Sequence, residues 1–93
     1  MYVGTLEVRL LVREARSLKD KRRVLRSLKD RLANQFNVAV AEVDGMDRRQ
    51  QIVLGVAAVS NSHTHAREQV ERVLEWLRRA PIAELVDARI EVF

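Results

Sequence analysis

Nine of the chain's 17 lysine and arginine residues fall between positions 13 and 31: Arg13, Arg16, Lys19, Lys21, Arg22, Arg23, Arg26, Lys29 and Arg31. Only Glu14, Asp20 and Asp30 oppose them, so this segment carries +6. The rest of the chain, with 8 basic and 10 acidic residues, carries −2. Lys19, Arg22, Arg23, Arg26 and Lys29 are linked by steps of three or four, which on a helix gathers them into one ridge. The chemistry open to such a ridge is neutralisation of several phosphates, each released counterion adding salt-sensitive affinity. Arg16, Lys19 and Arg23 also stand near the start of that helix, where free backbone N–H groups favour anions. Arg48 and Arg49, in a later loop, would extend the same surface. Two other readings stand beside nucleic-acid contact. A helix packed on a sheet needs a solvated outer face, for which lysine and arginine are good helix formers. An acidic protein surface would be drawn to the same charges.

Other chemistries find less support. His63 and His65 are two apart, which on a helix sends them about 200° from one another. No third ligand lies adjacent, so no metal is expected. The absence of cysteine removes disulfides, thiolate nucleophiles and cysteine zinc sites together. Ser60 and Asn61 could hold an anion at a helix start, although a helix cap accounts for the same residues. A glycine-rich phosphate loop of the acylphosphatase kind would follow the first strand. The stretch there, V-R-E-A-R-S (12–17), has no glycine. Glu42 and Asp44 sit at a strand end and form no paired-carboxylate cleft. No nucleophile, base and orienting group can be assembled, so the expectation is a binding module, with no enzyme activity, cofactor or small-molecule substrate.

The elements that position these residues follow from periodicity. Leu6, Val8, Leu10 and Val12 alternate with Thr5, Glu7, Arg9 and Arg13, the signature of a strand with one face in a core. Ser17 with Asp20 three residues on has the spacing of a capping box. Leu18, Leu25, Leu28, Leu32 and Phe36 then draw one apolar stripe, with Val24 widening it, for a helix ending near Gln35. Asn37–Val43 is a short valine-rich strand, and Asp44-Gly45 is a turn signal. Gln51–Val59 is apolar on both faces, which suits a central strand. Ala66, Val70, Val73, Leu74 and Leu77 share one face of a second helix, which Pro81 closes. Val86–Phe93 alternates again. With 93 residues and no linker, the chain is expected to form one domain over 1–93. The order β-α-β-β-α-β, with two right-handed crossovers in one sheet, predicts an α+β ferredoxin-like sandwich: a four-stranded antiparallel sheet with both helices on one face.

Three blocks, S-L-K-D-K-R-R-V-L-R-S-L-K-D-R-L (17–32), F-N-V-A-V-A-E-V-D (36–44) and V-L-G-V-A-A-V-S-N (53–61), resemble the YlxP-like bacterial proteins. These form domain-of-unknown-function family 503. His65-Ala66 fits the same pattern, and the similarity spans nearly the whole chain. The resemblance implies a ferredoxin-like fold. The family's genes tend to lie among those for translation and transcription factors, which implies a role near RNA or the ribosome. It brings no catalytic or binding residues with it.

RNA-recognition sheets of this topology stack bases on aromatic residues of the central strands. Here Leu6–Val12 and Gln51–Val59 hold none; the aromatics are Tyr2, Phe36, Trp76 and Phe93. The open sheet face is expected to be small and apolar instead, with Leu11, Val53, Gly55, Ala57 and Val59 joined by Ala39 and Ala41. A contiguous apolar patch of this kind marks an interface. The expected occupant is a second copy packed sheet to sheet. A protein-interaction domain with no nucleic-acid role is the alternative function. Trp76 is expected at the seam between the helices. No apolar stretch reaches the length of a membrane span, and MYVGTLEVRL lacks the basic run and apolar core of a signal peptide. The chain is therefore expected in the cytoplasm.

Overall fold

A computed structural model of the protein describes residues 1–93. The elements run β1 (Tyr2–Leu11), α1 (Leu18–Gln35), β2 (Ala39–Asp44), β3 (Gln51–Ser60), α2 (His63–Arg79) and β4 (Glu84–Val92). The strands form one antiparallel sheet in the order β2-β3-β1-β4, with α1 lying over β2 and β3 and α2 over β1, β4 and β3. This is the ferredoxin-like α+β arrangement, with β1 and β3 in the middle. No helix is long and apolar enough to cross a membrane.

Strand alternation builds the core. Leu6, Val8 and Leu10 of β1 and Ile52, Leu54, Val56 and Ala58 of β3 point to the helix side, where Leu28 and Leu32 of α1 and Val70, Val73 and Leu77 of α2 meet them. All these side chains are buried. β1 starts at Tyr2, ahead of the alternation that begins at Thr5, because its full length pairs with β3 from Tyr2↔Ser60 to Leu11↔Gln51. Val12 lies just beyond the strand yet stays buried, its N–H donating to the Gln50 carbonyl at 2.9 Å.

Local chemistry sets the helix ends. The Ser17 hydroxyl accepts from the Asp20 N–H at 3.1 Å, and the Asp20 carboxylate accepts from the Arg16 N–H at 3.0 Å. One of the free donors at the start of α1, the Asp20 N–H, is thereby satisfied, and the Arg16 N–H just before the helix is bound as well. Ser62 caps α2 in the same way, accepting from the His65 N–H at 3.2 Å. At the other end Ala80 leaves the helix, and Pro81 cannot continue it. Gly45 turns the β2–β3 connection with φ +63°, in the left-handed region that favours glycine.

At the far end of the β1–β4 ladder, Arg13 Nε donates to Glu84 Oε2 at 2.7 Å. That hydrogen bond, and then the charge of the guanidinium, hold the Glu84 carboxyl below its ordinary value. A carboxyl whose folded pKa is depressed adds stability that is present above its unfolded pKa and lost as pH falls through the folded one. Carboxyl NMR titration is therefore expected to place Glu84 below the ordinary glutamate value. Arg13→Gln is expected to raise it back toward that value; an unchanged midpoint in that variant would refute the pairing.

Candidate nucleic-acid interface

Helix α1 is sunk on one side into the domain. Lys21, Leu28 and Leu32 are buried, Leu18, Val24 and Leu25 are half-buried, and Arg16, Lys19, Arg22, Arg23, Arg26, Lys29 and Arg31 are exposed. Asp20 and Val24 line a hollow with Leu11 and Pro81–Ala83, so that flank of the helix faces β4. At 100° per residue, Arg22 and Lys29 stand on the opposite flank, above edge strand β2. Lys19, Arg22, Arg26 and Lys29 thus form a row about 15 Å long, at a rise of 1.5 Å per residue. Beside it, Arg23, Arg26 and Arg31 surround a shallow polar hollow of about 400 Å³, completed by Ser27, Asp30 and Asn34.

The distribution of ion pairs separates this face from the rest of the molecule. Arg9, Arg13, Arg67, Arg78, Arg79 and Arg89 each have a carboxylate within 4.0 Å. On α1's exposed face and the residue leading into it, Arg23 alone has one, Asp20 at 4.0 Å. Arg16, Lys19, Arg22, Arg26, Lys29 and Arg31 have no carboxylate partner. Six of the nine uncompensated cations are therefore on this one surface, the others being Arg48, Arg49 and Arg72. The start of the helix is a different matter. Asp20 occupies the first turn and binds the Arg16 N–H, so the N-terminal dipole is already met by the protein's own anion.

Lys21 belongs to the basic cluster in sequence and to the interior in space. It is 0% exposed. Its ammonium donates to the Gly45 carbonyl at 3.0 Å and to the Met46 carbonyl at 3.2 Å, and it lies 2.9 Å from Glu42 Oε2. The Glu42 contact is one of charge; Oε2 accepts no aligned hydrogen bond. Lys21 thereby fastens the β2–β3 loop against α1. Arg49 rides on that loop, exposed and without a bonded partner. Arg48 turns the other way: its guanidinium donates to Gln51 Oε1 at 2.7 Å and lines a polar hollow on the open sheet face with Arg9, Asp44, Asp87 and Arg89. The structure thus groups seven of the eight residues named for nucleic-acid contact around α1 and its tethered loop, and sets Arg48 apart.

The open sheet face is divided. Over β2 and β3 it is apolar, with Ala39, Ala41, Val43, Val53, Gly55, Ala57 and Val59; Val43 folds over Gly55, where an added Cβ would come within 2.7 Å of its Cγ1. Over β1 and β4 it is a ladder of ion pairs, Arg9–Asp87 at 3.6 Å, Arg89–Glu7 at 3.7 Å and Arg89–Glu91 at 3.4 Å. Leu11 stands away from the apolar half and lines the hollow beside Pro81. His63 stacks edge-on against Tyr2, with ring centroids 5.6 Å apart. Trp76 is half-buried against the core and borders a groove with Phe36 and Pro81.

Fold and surface together define a ferredoxin-like α+β domain with one helix face of uncompensated positive charge. Residues 3–90 match the family described as "Protein of unknown function (DUF503)". The chain is also 35% identical over 91 residues to the "Uncharacterized protein YlxP" of Bacillus subtilis (strain 168), covering 98% of this chain and 99% of that protein. The chain belongs to the DUF503 family.

Proposed function

We propose that this domain is a binding module for structured RNA, held through its phosphates by the outer face of α1. The observation that carries the reading is the partition of charge. Most cations elsewhere have carboxylates beside them, Arg48, Arg49 and Arg72 excepted, whereas Arg16, Lys19, Arg22, Arg26, Lys29 and Arg31, together on one surface, have none. A row of unpaired cations on a rigid helix is the arrangement from which binding a polyanion releases the most counterions.

The form of the surface favours duplex RNA among polyanions. Single strands are held by stacking bases on aromatic rings. None of Tyr2, Phe36, Trp76 and Phe93 lies on the ridge. Reading the major groove of B-form DNA takes an element, a helix or a β-ribbon, that enters the groove. Helix α1 is half-sunk on the sheet and offers one side only, which suits the wide, shallow minor groove and flanking phosphates of an A-form duplex. The gene neighbourhood of the family points the same way, toward RNA or the ribosome.

Fluorescence anisotropy with a labelled RNA hairpin, a DNA duplex of equal length and a single-stranded RNA, each across a salt series, tests this. Binding to the hairpin is expected to weaken steeply with salt. Replacing Arg22, Arg23 and Arg26 together with glutamine is expected to lower the log–log slope by about 2–3, near one per lost phosphate contact. Arg9→Gln and Arg89→Gln, on the sheet face, are expected to leave it unchanged. Undetectable or salt-independent binding to the hairpin would overturn the proposal.

A further inference from the structure

We infer that the open sheet face is the contact surface for a second copy of this chain, forming a sheet-on-sheet dimer with both basic helices outward. Three observations choose the occupant. The first is size. Four strands of up to ten residues, at about 3.3 Å per residue and about 4.8 Å between strands, present a face of roughly 30 × 19 Å before side-chain relief. Fully apposed, about 570 Å² in projection, such a face with its side-chain relief reaches the ~600 Å² per partner at the lower end of standard interfaces.

The second is relief. Ala39, Ala41, Gly55 and Ala57 keep the β2–β3 half low, and two such surfaces can close to the ~10 Å separation of stacked sheets. Exposed apolar side chains border this floor, Val59 at 59% and Val43 at 47%. At the end of the face Val3 and Phe93 pair through reciprocal backbone hydrogen bonds of 3.0 and 2.9 Å, which adds an exposed phenyl ring. Burying these groups in a partner removes them from water, the main favourable term in such an association.

The third is charge. The β1–β4 half holds Glu7, Arg9, Asp87, Arg89 and Glu91, already matched with one another and close to neutral in sum. With its charges paired inside the chain and summing to −1, it presents only a weak field to a second copy. Its two guanidiniums are already engaged by three carboxylates, which makes it a poor surface for a phosphate backbone. The positive excess lies on α1, across the sheet, so two faces can meet while the like-charged helices stay apart. An isologous contact of this kind closes on itself as a dimer.

Sedimentation equilibrium on the intact chain decides the matter. The wild type is expected to sediment as a dimer of the 10.7 kDa chain at tens of micromolar. Ala41→Glu and Val59→Glu each place an unpaired charge on the face at an exposed position. Each is expected to weaken dimerisation at least ~100-fold while leaving the far-ultraviolet circular dichroism of the wild type. Arg26→Glu, on α1, is expected to leave the dimer intact. A wild type that is monomeric at several hundred micromolar would overturn the inference. So would a dimer that survives both substitutions on the face, since the contact would then lie elsewhere. None of these outcomes depends on whether α1 binds RNA.

Discussion

Lys21→Met is expected to destabilise the fold by about 3 kcal/mol, measured by urea denaturation of the variant against the wild type. The loss follows from what the methionine leaves behind. Glu42 stays under α1 with its side chain 14% exposed, and its carboxylate no longer has a countercharge. Breaking a buried pair from one side costs ~3–5 kcal/mol, and the residual exposure of Glu42 places this case at the lower end. The Gly45 and Met46 carbonyls also lose their donor. Removing Glu42 as well, as Lys21→Met/Glu42→Leu, is expected to recover about half of the loss, because it relieves the orphaned charge but not the orphaned carbonyls. Hydrogen exchange should quicken across residues 44–50 in both variants, since the tether of that loop is gone. A single variant within ~1 kcal/mol of the wild type would show that the pair does not hold the loop.

That ion pair also marks where the sequence was readable and where it was misleading. The apolar stripe of α1 steps by seven from Leu18 to Leu25, and the position in the gap is Lys21. The inward side of β2 runs Val38, Val40, then Glu42. Each charge interrupts a hydrophobic pattern at a core-facing position, and the two interruptions answer one another across the helix–sheet interface. Charge density alone counts Lys21 among the nine basic residues of 13–31, although the ridge of three- and four-residue steps passes it by. Its place on the apolar stripe is the signal that it faces inward.

The rest of the architecture was legible because each element carries its own period. Element order, central strands and the N-cap of α1 follow from alternation, helical spacing and Ser17, while the start of α2 offered several caps, of which Ser62 is the one used. Element ends were less so: β1 begins at Tyr2 and β4 at Glu84 because pairing partners, not their own residues, extend them. The open face was half legible. Small residues on β3 announced an apolar surface, but which charges on β1 would meet which on β4 depends on a register that shifts between Arg9 and Leu10. The candidate site was legible in composition and not in partnership. A helix rich in arginine can be a self-neutralised surface, as α2 shows with Arg67–Glu71 and Arg78–Glu75. Only geometry reveals that α1 lacks that compensation. Its carboxylates are too few, and Asp20 is engaged at the cap.

Gly4→Ala is expected to cost about 2–3 kcal/mol and to lower the melting temperature by roughly 10–20 °C for a domain of this size. A Cβ built on Gly4 would lie 2.3 Å from the Ala66 carbonyl oxygen and 2.8 Å from its carbon. Both are backbone atoms in the first turn of α2, and Ala66 is itself fully buried. No side chain can turn aside, so the helix must lift from β1 and open the contacts that Val70 and Val73 make below it. The entropy withdrawn from the unfolded chain by the same substitution returns only ~0.4–1 kcal/mol, too little to offset the clash. Gly55→Ala supplies the control. Its nearest obstacle, at 2.7 Å, is a methyl of Val43, an exposed side chain that can change rotamer. That variant is expected to lose less than ~1 kcal/mol, the range of small repacking changes. If differential scanning calorimetry found the two alanines equally tolerated, the close seating of α2 on β1 would not be what demands glycine at position 4.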